Sequence, residues 1–514
     1  MVTGHPFRRS ALPIAILLLA FALRLMPWGS NRFLEDEALY AYWGLQIATG
    51  TDPMLDEEPV DKPPLHPYTL ALSFLLWPMG GTDRQLESAA RLPSFFASIT
   101  SIALVYSLGR ALFNSEPVGL LAALLLALSP FDILFASTAF TDPLLTVLVL
   151  AALVAAAKDH LGSAGLLLGL ATATKQQGIF FLPLVVAVAA LRPSEHSGFD
   201  ERPRSRRARL PLTWLAQMWS KRWMRFAVGF AIVAAGALGW DAARVQRPGF
   251  LEQSLISYGG LGPAQPGALG PRALEWLKLA GSFWVSPWFS GLMLGTILFW
   301  FLGGWVGWWS GASRIDLALA AFTTGFLLLH WLVGFQVWGR YLLGLVPLVA
   351  LLAGRAFVAL GSVVRSTTWQ RVYAISLGAL LVTSLTSPAI RAARSELPLG
   401  GDHGAYDGID HLAAYMRSQV PPGSVLYHFW LGYHYRFYLF GEPLRLHWYP
   451  DLEDLSHDAY VYRREPRYIA FPSWRDNTSA EKALAETGVH LELVYETTRR
   501  DGSVSFRLYR MEGP

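Results

Sequence analysis

Residues 31–68 read NRFLEDEALYAYWGLQIATGTDPMLDEEPVDKPPLHPY, a run of acids, one lysine and several prolines set between two strongly apolar segments. The preceding segment, Ser10 to Trp28, is long enough to cross a hydrocarbon layer of ~30 Å. A membrane protein needs no loop of this size and charge merely to reverse direction. Within the loop, Asp36 to Ala48 carries apolar residues at helical spacing (Leu39, Tyr42 and Trp43, Ile47), which predicts a short amphipathic helix lying in the interface. Its acids fall in the first turn, where the helix dipole favours carboxylates. There they would face water beside the bilayer, where a lipid-borne substrate arrives.

Composition places the whole chain in the same class. Of 514 residues, 53% are hydrophobic and 16% charged, and 20 are tryptophan, which excludes an ordinary soluble enzyme and predicts a multi-pass membrane protein. With no cysteine there are neither disulfides nor thiolate metal sites. The net charge of +4 is modest, and no basic and aromatic patch of the nucleic-acid-binding kind is present, so no nucleic-acid partner is expected. The first 28 residues have the charge pattern of a signal peptide. Arg24 and Pro27 stand where small cleavage-site residues would be needed, so a retained first helix is expected.

Apolar stretches at 10–28, 91–110, 117–132, 142–157, 161–174, 177–191, 225–244, 283–309, 315–335, 340–358 and 371–390 predict about eleven transmembrane helices, with twelve or thirteen as alternatives. Tyr68 to Met79 is short and suits an interfacial or re-entrant helix. Eleven crossings with Arg8 and Arg9 inside put the arginine-rich connection 192–224 in the cytoplasm, together with Arg355, Arg365 and Arg371. The same count gathers the loop 29–90, Asp132, Asp142, Lys175, Gln176, Gln177, the Gly/Pro-rich segment 246–271 and Gln336 to Tyr341 on the extracytoplasmic face. The middles of the spans carry no Asp, Glu, Lys or Arg, which argues against an ion-coupled transporter.

Residues 1–390 are thus expected to form a membrane domain and 391–514 a soluble α/β domain on the extracytoplasmic side. In the latter, strand-like pieces occur at 424–427, 444–448, 467–471, 491–495 and 504–509, and a helical pattern at 408–418.

Suppose the substrate is a sugar joined to a lipid phosphate, and an acceptor hydroxyl must attack the anomeric carbon. That reaction needs a base, cations for the leaving phosphate and a groove for the lipid. Asp36 or Glu37 can be the base; Lys62 and Arg340 can neutralise phosphate and Tyr341 can donate a hydrogen bond to it. Pro63 and Pro64 would present Lys62 rigidly. His66, Arg91, Lys175 and Gln176 are further candidates for contact with donor or acceptor. The 246–271 segment and the aromatics Phe283, Trp284 and Trp288 are candidates for the lipid entry. Each choice has a plainer reading: a surface ion pair for Asp61 and Lys62, a headgroup anchor for Arg340 and Tyr341, a helix-start carboxylate for Asp142. GDHGAYDGIDH (401–411) could hold a metal, but irregularly spaced Asp and His in a linker are more often solvated. No metal or other cofactor is required.

Taken together and in order, EDEALYAYWG, DKPPLHPY, RLPSFFASITSIALVYSLGRALF, FTDPLL, ATATKQQGIFFLPL and GRYLLGLVPLVALLAGR resemble the GT-C class of membrane glycosyltransferases over about residues 10–390. The resemblance is to the protein O-mannosyltransferase and lipid A aminoarabinose transferase groups. It implies a GT-C fold, a polyprenyl-phosphate sugar donor, inversion at the anomeric carbon and a catalytic Asp in the first external loop. By position that residue is Asp36, with Glu37 beside it; Lys62 would contact the donor phosphate, Asp142 is the second external acid and a further catalytic candidate, and Arg340 and Tyr341 match an Arg-Tyr pair opening a late span. Protein O-mannosyltransferases carry His-Pro-Pro-Leu-Gly-Lys where this chain has Lys62 to Pro67, which weakens the case for a eukaryotic-type protein acceptor. Composition points to a bacterial chain and hence to the cytoplasmic (inner) membrane. The expected partners are the lipid-linked donor, a lipid, glycan or protein hydroxyl acceptor, and membrane lipids. A flippase for lipid-linked sugars is the alternative, and sugar, acceptor and oligomeric state are not legible.

Overall fold

The computed structural model describes residues 6–77, 81–191, 221–245, 248–258, 260, 262–284, 286–308, 312–398 and 400–513. The basic connection expected at 192–224 lies outside them up to residue 220. The helices of the first half are α1 (Pro6–Leu25), α2 (Glu35–Thr49), α3 (Leu65–Leu75), α4 (Asp83–Phe113), α5 (Glu116–Ala127), α6 (Pro130–Ala136), α7 (Thr141–Ala157), α8 (Leu161–Thr174) and α9 (Leu182–Leu191). Then follow α10 (Lys221–Ala243), α11 (Phe250–Tyr258), α12 (Leu269–Gly281), α13 (Pro287–Val306), α14 (Arg314–Leu332), α15 (Val346–Val363) and α16 (Thr367–Ala393). Two 3-10 turns matter for the site, Gln176–Phe181 before α9 and Gly339–Leu345 before α15.

The expected apolar stretches fall on these helices, with 117–132 divided between α5 and α6 and with 177–191 and 340–358 starting on the two 3-10 turns. Among the described residues six helices are long and apolar enough to cross a membrane, or seven if α5 and α6, bent by 61°, form one broken span. The remaining apolar helices, including α7 and α8, are shorter. Helix α3, at 11 residues, is roughly 16 Å long and too short to cross. Ile232, Leu298, Ile375 and Val382 stand exposed on α10, α13 and α16, as side chains facing lipid do. Where helices pack on one another, small residues let the backbones meet. A Cβ at Gly165 would lie 2.0 Å from the Phe226 carbonyl oxygen, and one at Gly229 2.3 Å from that of Gly162, so α8 and α10 touch through glycine.

Beyond α16 the chain builds a mixed sheet. Helix α17 (Ile409–Gln419) precedes β1 (Val425–His428), α18 (Gly432–Tyr438), β2 (Arg445–Trp448), α19 (Leu452–Val461), β3 (Arg467–Pro472), α20 (Thr478–Glu486), β4 (His490–Thr498) and β5 (Val504–Glu512). The order is β2-β1-β3-β5-β4. Strand β1 runs parallel to both β2 and β3, while β5 is antiparallel to β3 and β4. The fully buried β1 and β3 are the apolar runs that a two-sided sheet core requires.

This sheet unit packs on the first loop, and that changes how the loop is read. Helix α2 does not lie uncovered: Tyr40, Trp43 and Leu45 are buried, and α18 packs along it. His434 bonds the Phe33 carbonyl at 2.8 Å, and Arg436 reaches Glu58 at 3.0 and 3.1 Å. Beneath the contact, Glu87 of α4 accepts from Arg32 at 2.6 Å and Tyr438 at 2.5 Å, with Arg91 3.6 Å away. Such a buried cluster holds only because its charges are matched; removing one partner leaves a desolvated charge. The acids of 402–411 are likewise neither solvated nor clustered on a metal. Asp402 accepts the backbone N–H of Arg32 and Tyr406, Asp407 pairs with Arg500, and Asp410 with Arg84. Among the described residues no group of three or more potential ligands is arranged for a metal.

Candidate active site

Three acids open α2, and the helix phase separates their roles. Asp36 points outward, its side chain 37% exposed, while Glu37 points inward and is fully buried. Glu37 accepts the backbone N–H groups of Leu34 at 3.1 Å and Ala139 at 2.8 Å, joining the start of α2 to the loop before α7. Burial pushes its carboxyl up to about 7, with Arg91, 4.0 Å away, pulling it back. Asp36 instead meets Arg340, whose Nη2 donates to Oδ2 at 2.6 Å. Arg340 stands on the 3-10 turn before α15, and its guanidinium lies over the Phe140 ring at 4.6 Å.

Phe140 precedes α7, whose first turn carries Asp142. Asp142 is buried and accepts from Lys175 Nζ at 2.5 Å. Lys175 follows α8 and sits over the Tyr341 ring at 4.3 Å. Burial lowers its ammonium to about 8, against the pull of Asp142. The pair is therefore no free helix-start carboxylate; it links α7, α8 and the turn that presents Arg340.

Lys62 is buried too, so its contact with Asp61 at 2.5 Å is not a surface pair. Its ammonium also donates to the Tyr258 hydroxyl at 2.6 Å and lies over that ring at 4.5 Å. Gln176 donates to the Asp61 carbonyl at 2.8 Å, which fixes the DKPP turn against the end of α8. Pro63 and Pro64 lead directly into α3.

These groups border one cavity of about 380 Å³. Lys62, Lys175, Gln176 and Tyr341 are among its polar lining residues, and Ile179, Phe180, Leu251, Leu255 and Phe335 among its apolar ones. A cavity lined by both cations and hydrocarbon suits an amphiphile with an anionic head. Asp36 is joined to it through Arg340, the residue next to Tyr341. His66 and Arg91 do not line it. His66 is fully buried, bonds the Ala139 carbonyl at 2.9 Å, and is held by burial at about 4. Arg91 bonds the Asn31 carbonyl at 3.0 Å within the cluster around Glu87.

Two expectations for the lipid entry divide. The 246–271 segment does reach the cavity, through α11 and its Leu251, Leu255 and Tyr258. Phe283 and Trp284 do not: both are buried, and the Trp284 indole donates to the Leu125 carbonyl at 3.0 Å. Trp288 is exposed, away from the cavity lining. Tyr258 and His330 were not singled out from sequence, and Gln177 only as one of the polar groups on that face. Gln177 bonds His330 at 2.9 Å and the Tyr341 carbonyl at 3.3 Å, bracing the cavity floor. Only the placement of Tyr258 in a Gly/Pro-rich loop and of Gln177 in KQQG gave any signal.

The family model described as dolichyl-phosphate-mannose-protein mannosyltransferase matches residues 61–200, a segment that contains Lys62, Asp142, Lys175 and Gln176 but neither Asp36 nor Arg340. No curated protein matches the chain by sequence. Among solved structures, ArnT from Cupriavidus metallidurans bound to undecaprenyl phosphate is similar at TM-score 0.61 and 15% identity, over 98% of each chain. The same protein in the apo state is similar at TM-score 0.61 and 16% identity, over 97% of each. At such identities the likeness concerns the fold, and end to end this chain has the GT-C-like fold that ArnT displays, the class its motifs resemble.

Proposed function

We propose that the protein is an inverting glycosyltransferase that moves a sugar from a polyprenyl-phosphate donor to an acceptor hydroxyl at the extracytoplasmic face of the membrane. The observation that carries this reading is the Asp36–Arg340 pair, 2.6 Å long, together with a cavity lined by two lysines and by apolar side chains. ArnT binds undecaprenyl phosphate in the same fold, which supports a donor of that chemistry.

In this scheme the lipid lies along Leu251, Leu255 and Phe180, and its phosphate reaches Lys62, Lys175 and Arg340. The acceptor oxygen attacks the anomeric carbon from the side opposite the phosphate. The bond between that carbon and the phosphate oxygen breaks, the electron pair leaves with the phosphate, and Asp36 takes the acceptor proton. Arg340 serves both ends: it orients Asp36 before the reaction and faces the phosphate as negative charge accumulates there. Lys62, held meanwhile by Asp61 and Tyr258, changes partner when phosphate arrives, so no bare ammonium is left in the empty cavity. Asp142 keeps Lys175 in place and touches no reacting atom.

The test is to incubate the purified protein in nanodiscs with a panel of synthetic undecaprenyl-phosphate sugars and to follow undecaprenyl phosphate by mass spectrometry. Release from one donor supports the reading. Tight binding of the lipid with no release from any donor, with acceptor extracts present, would point to a flippase instead.

A further inference from the structure

The sheet unit has no part in the scheme above, yet its geometry marks a binding edge. In an open α/β sheet a crevice forms beyond the carboxyl ends of parallel strands, where successive connections leave in opposite directions. Here β2 lies on one side of β1 and β3 on the other, so that point is the carboxyl end of β1. The residues that follow β1 are Phe429 and Trp430, and those that follow β3 are Ser473, Trp474 and Arg475.

These aromatics are not core. Trp430 is 43% exposed, Trp474 39% and Tyr433 40%. Arg475 lies over the Trp430 ring at 4.2 Å. Nor is the edge remote from Asp36. Trp474 packs edge-on against Tyr406 at 5.1 Å, and the Tyr406 hydroxyl donates to Glu35, the neighbour of Asp36. On the other side Tyr433 belongs to α18, the helix that packs on α2. Burial raises the Tyr433 phenol, Arg436 opposes the rise, and the charges of Asp36 and Asp61 add to it, so the ring stands within electrostatic reach of both acids.

We infer that Trp430, Tyr433 and Trp474 form a stacking platform for the acceptor, and that the acceptor is a saccharide. The inference rests on the transferase reading and names its second substrate. A pyranose presents a face of weakly positive C–H bonds that lies against the negative face of an indole or phenol, while its hydroxyls stay free for the reaction. Rigid, amphipathic aromatics give such contact at small entropic cost. Tyr433 brings the platform within electrostatic reach of the acid proposed as base, so a ring stacked there can turn one hydroxyl toward Asp36.

The experiment uses the full chain in nanodiscs and labelled tetrasaccharides of glucose, mannose, N-acetylglucosamine and galacturonate. Each is offered free and on a lipid anchor, with a Ser/Thr-rich peptide as the protein-type probe, and Kd is read by fluorescence anisotropy. At least one tetrasaccharide should bind, Trp430→Ala and Trp474→Ala should each weaken it by about tenfold, and Trp430→Phe should restore most of the affinity. Free and anchored forms binding alike would identify a polymer; binding of the anchored form alone would identify a glycolipid. Absence of binding by every saccharide, binding indifferent to both tryptophans, or peptide binding lost in Trp430→Ala would overturn the inference. Undecaprenyl phosphate affinity, measured on the same samples, should not change in the tryptophan variants. Loss of that lipid's binding in wild type with saccharide binding retained would sink the transferase reading and leave the platform standing.

Discussion

Arg340 and Asp36 lie 304 positions apart in the chain, yet the guanidinium Nη2 is 2.6 Å from the carboxylate Oδ2. The pair joins the first loop to the turn that opens a late helix, and it makes the position of the proposed base depend on a cation that is also proposed to face the donor. Removing the fork while keeping the charge separates these duties. Arg340→Lys should lower turnover by about 10- to 100-fold and weaken undecaprenyl phosphate binding only a few-fold. Equal turnover in steady-state assays of the two proteins would show that the fork does not orient Asp36.

Lys62 is assigned to the phosphate. Lys62→Ala should weaken undecaprenyl phosphate binding by about 10-fold or more, the scale of one charge-assisted contact. Equilibrium binding in nanodiscs measures this directly, and an unchanged Kd removes Lys62 from the donor site.

Lys175 supplies a pH dependence. Its ammonium is held down to about 8 by burial, so its charge fades as pH rises through that value. The phosphate of a polyprenyl-phosphate sugar is a diester with a single acidic proton, already lost well below that value, so its charge stays constant. Donor Kd should therefore rise between about pH 7 and pH 9 in wild type, and Lys175→Arg should flatten the profile. A flat wild-type profile over this interval contradicts the assignment.

Glu37 yields a stability prediction of opposite kind. Its folded carboxyl titrates at about 7, above the ordinary 4.5. Between these values the folded state binds more protons than the unfolded state, so stability falls as pH rises through the interval. Its contribution is fully present below about 4.5 and lost above about 7. Glu37→Gln should show a shallower fall of Tm across that range, by differential scanning fluorimetry in nanodiscs; the same slope in both proteins would exclude Glu37 as its source.

What was legible in the chain follows from which forces are local. The apolar stretches announced their helices because hydrophobic length is a property of the run itself, and the strands at 425–428 and 467–472 did so for the same reason. Helix α2 was placed, but its burial was not: α18 covers it from about 400 residues away, and nothing near Tyr40 or Trp43 foretells that cover. The neighbours Asp36 and Glu37 are chemically alike, and only the helix phase against the packed interior turns one toward Arg340 and the other toward Ala139. Tyr258 escaped notice because its partner Lys62 lies 196 positions away. Trp284 was misread as a lipid contact because an indole near a helix start is equally suited to donate to an inner carbonyl, here that of Leu125.

The most direct test of the account compares wild type with Asp36→Asn, measuring both undecaprenyl phosphate affinity and release of that lipid from the active donor. The substitution keeps the shape of the side chain and removes the base, so turnover should fall by about 10²- to 10⁴-fold while Kd changes little. Turnover retained in Asp36→Asn, with the donor bound as before, would contradict the central claim.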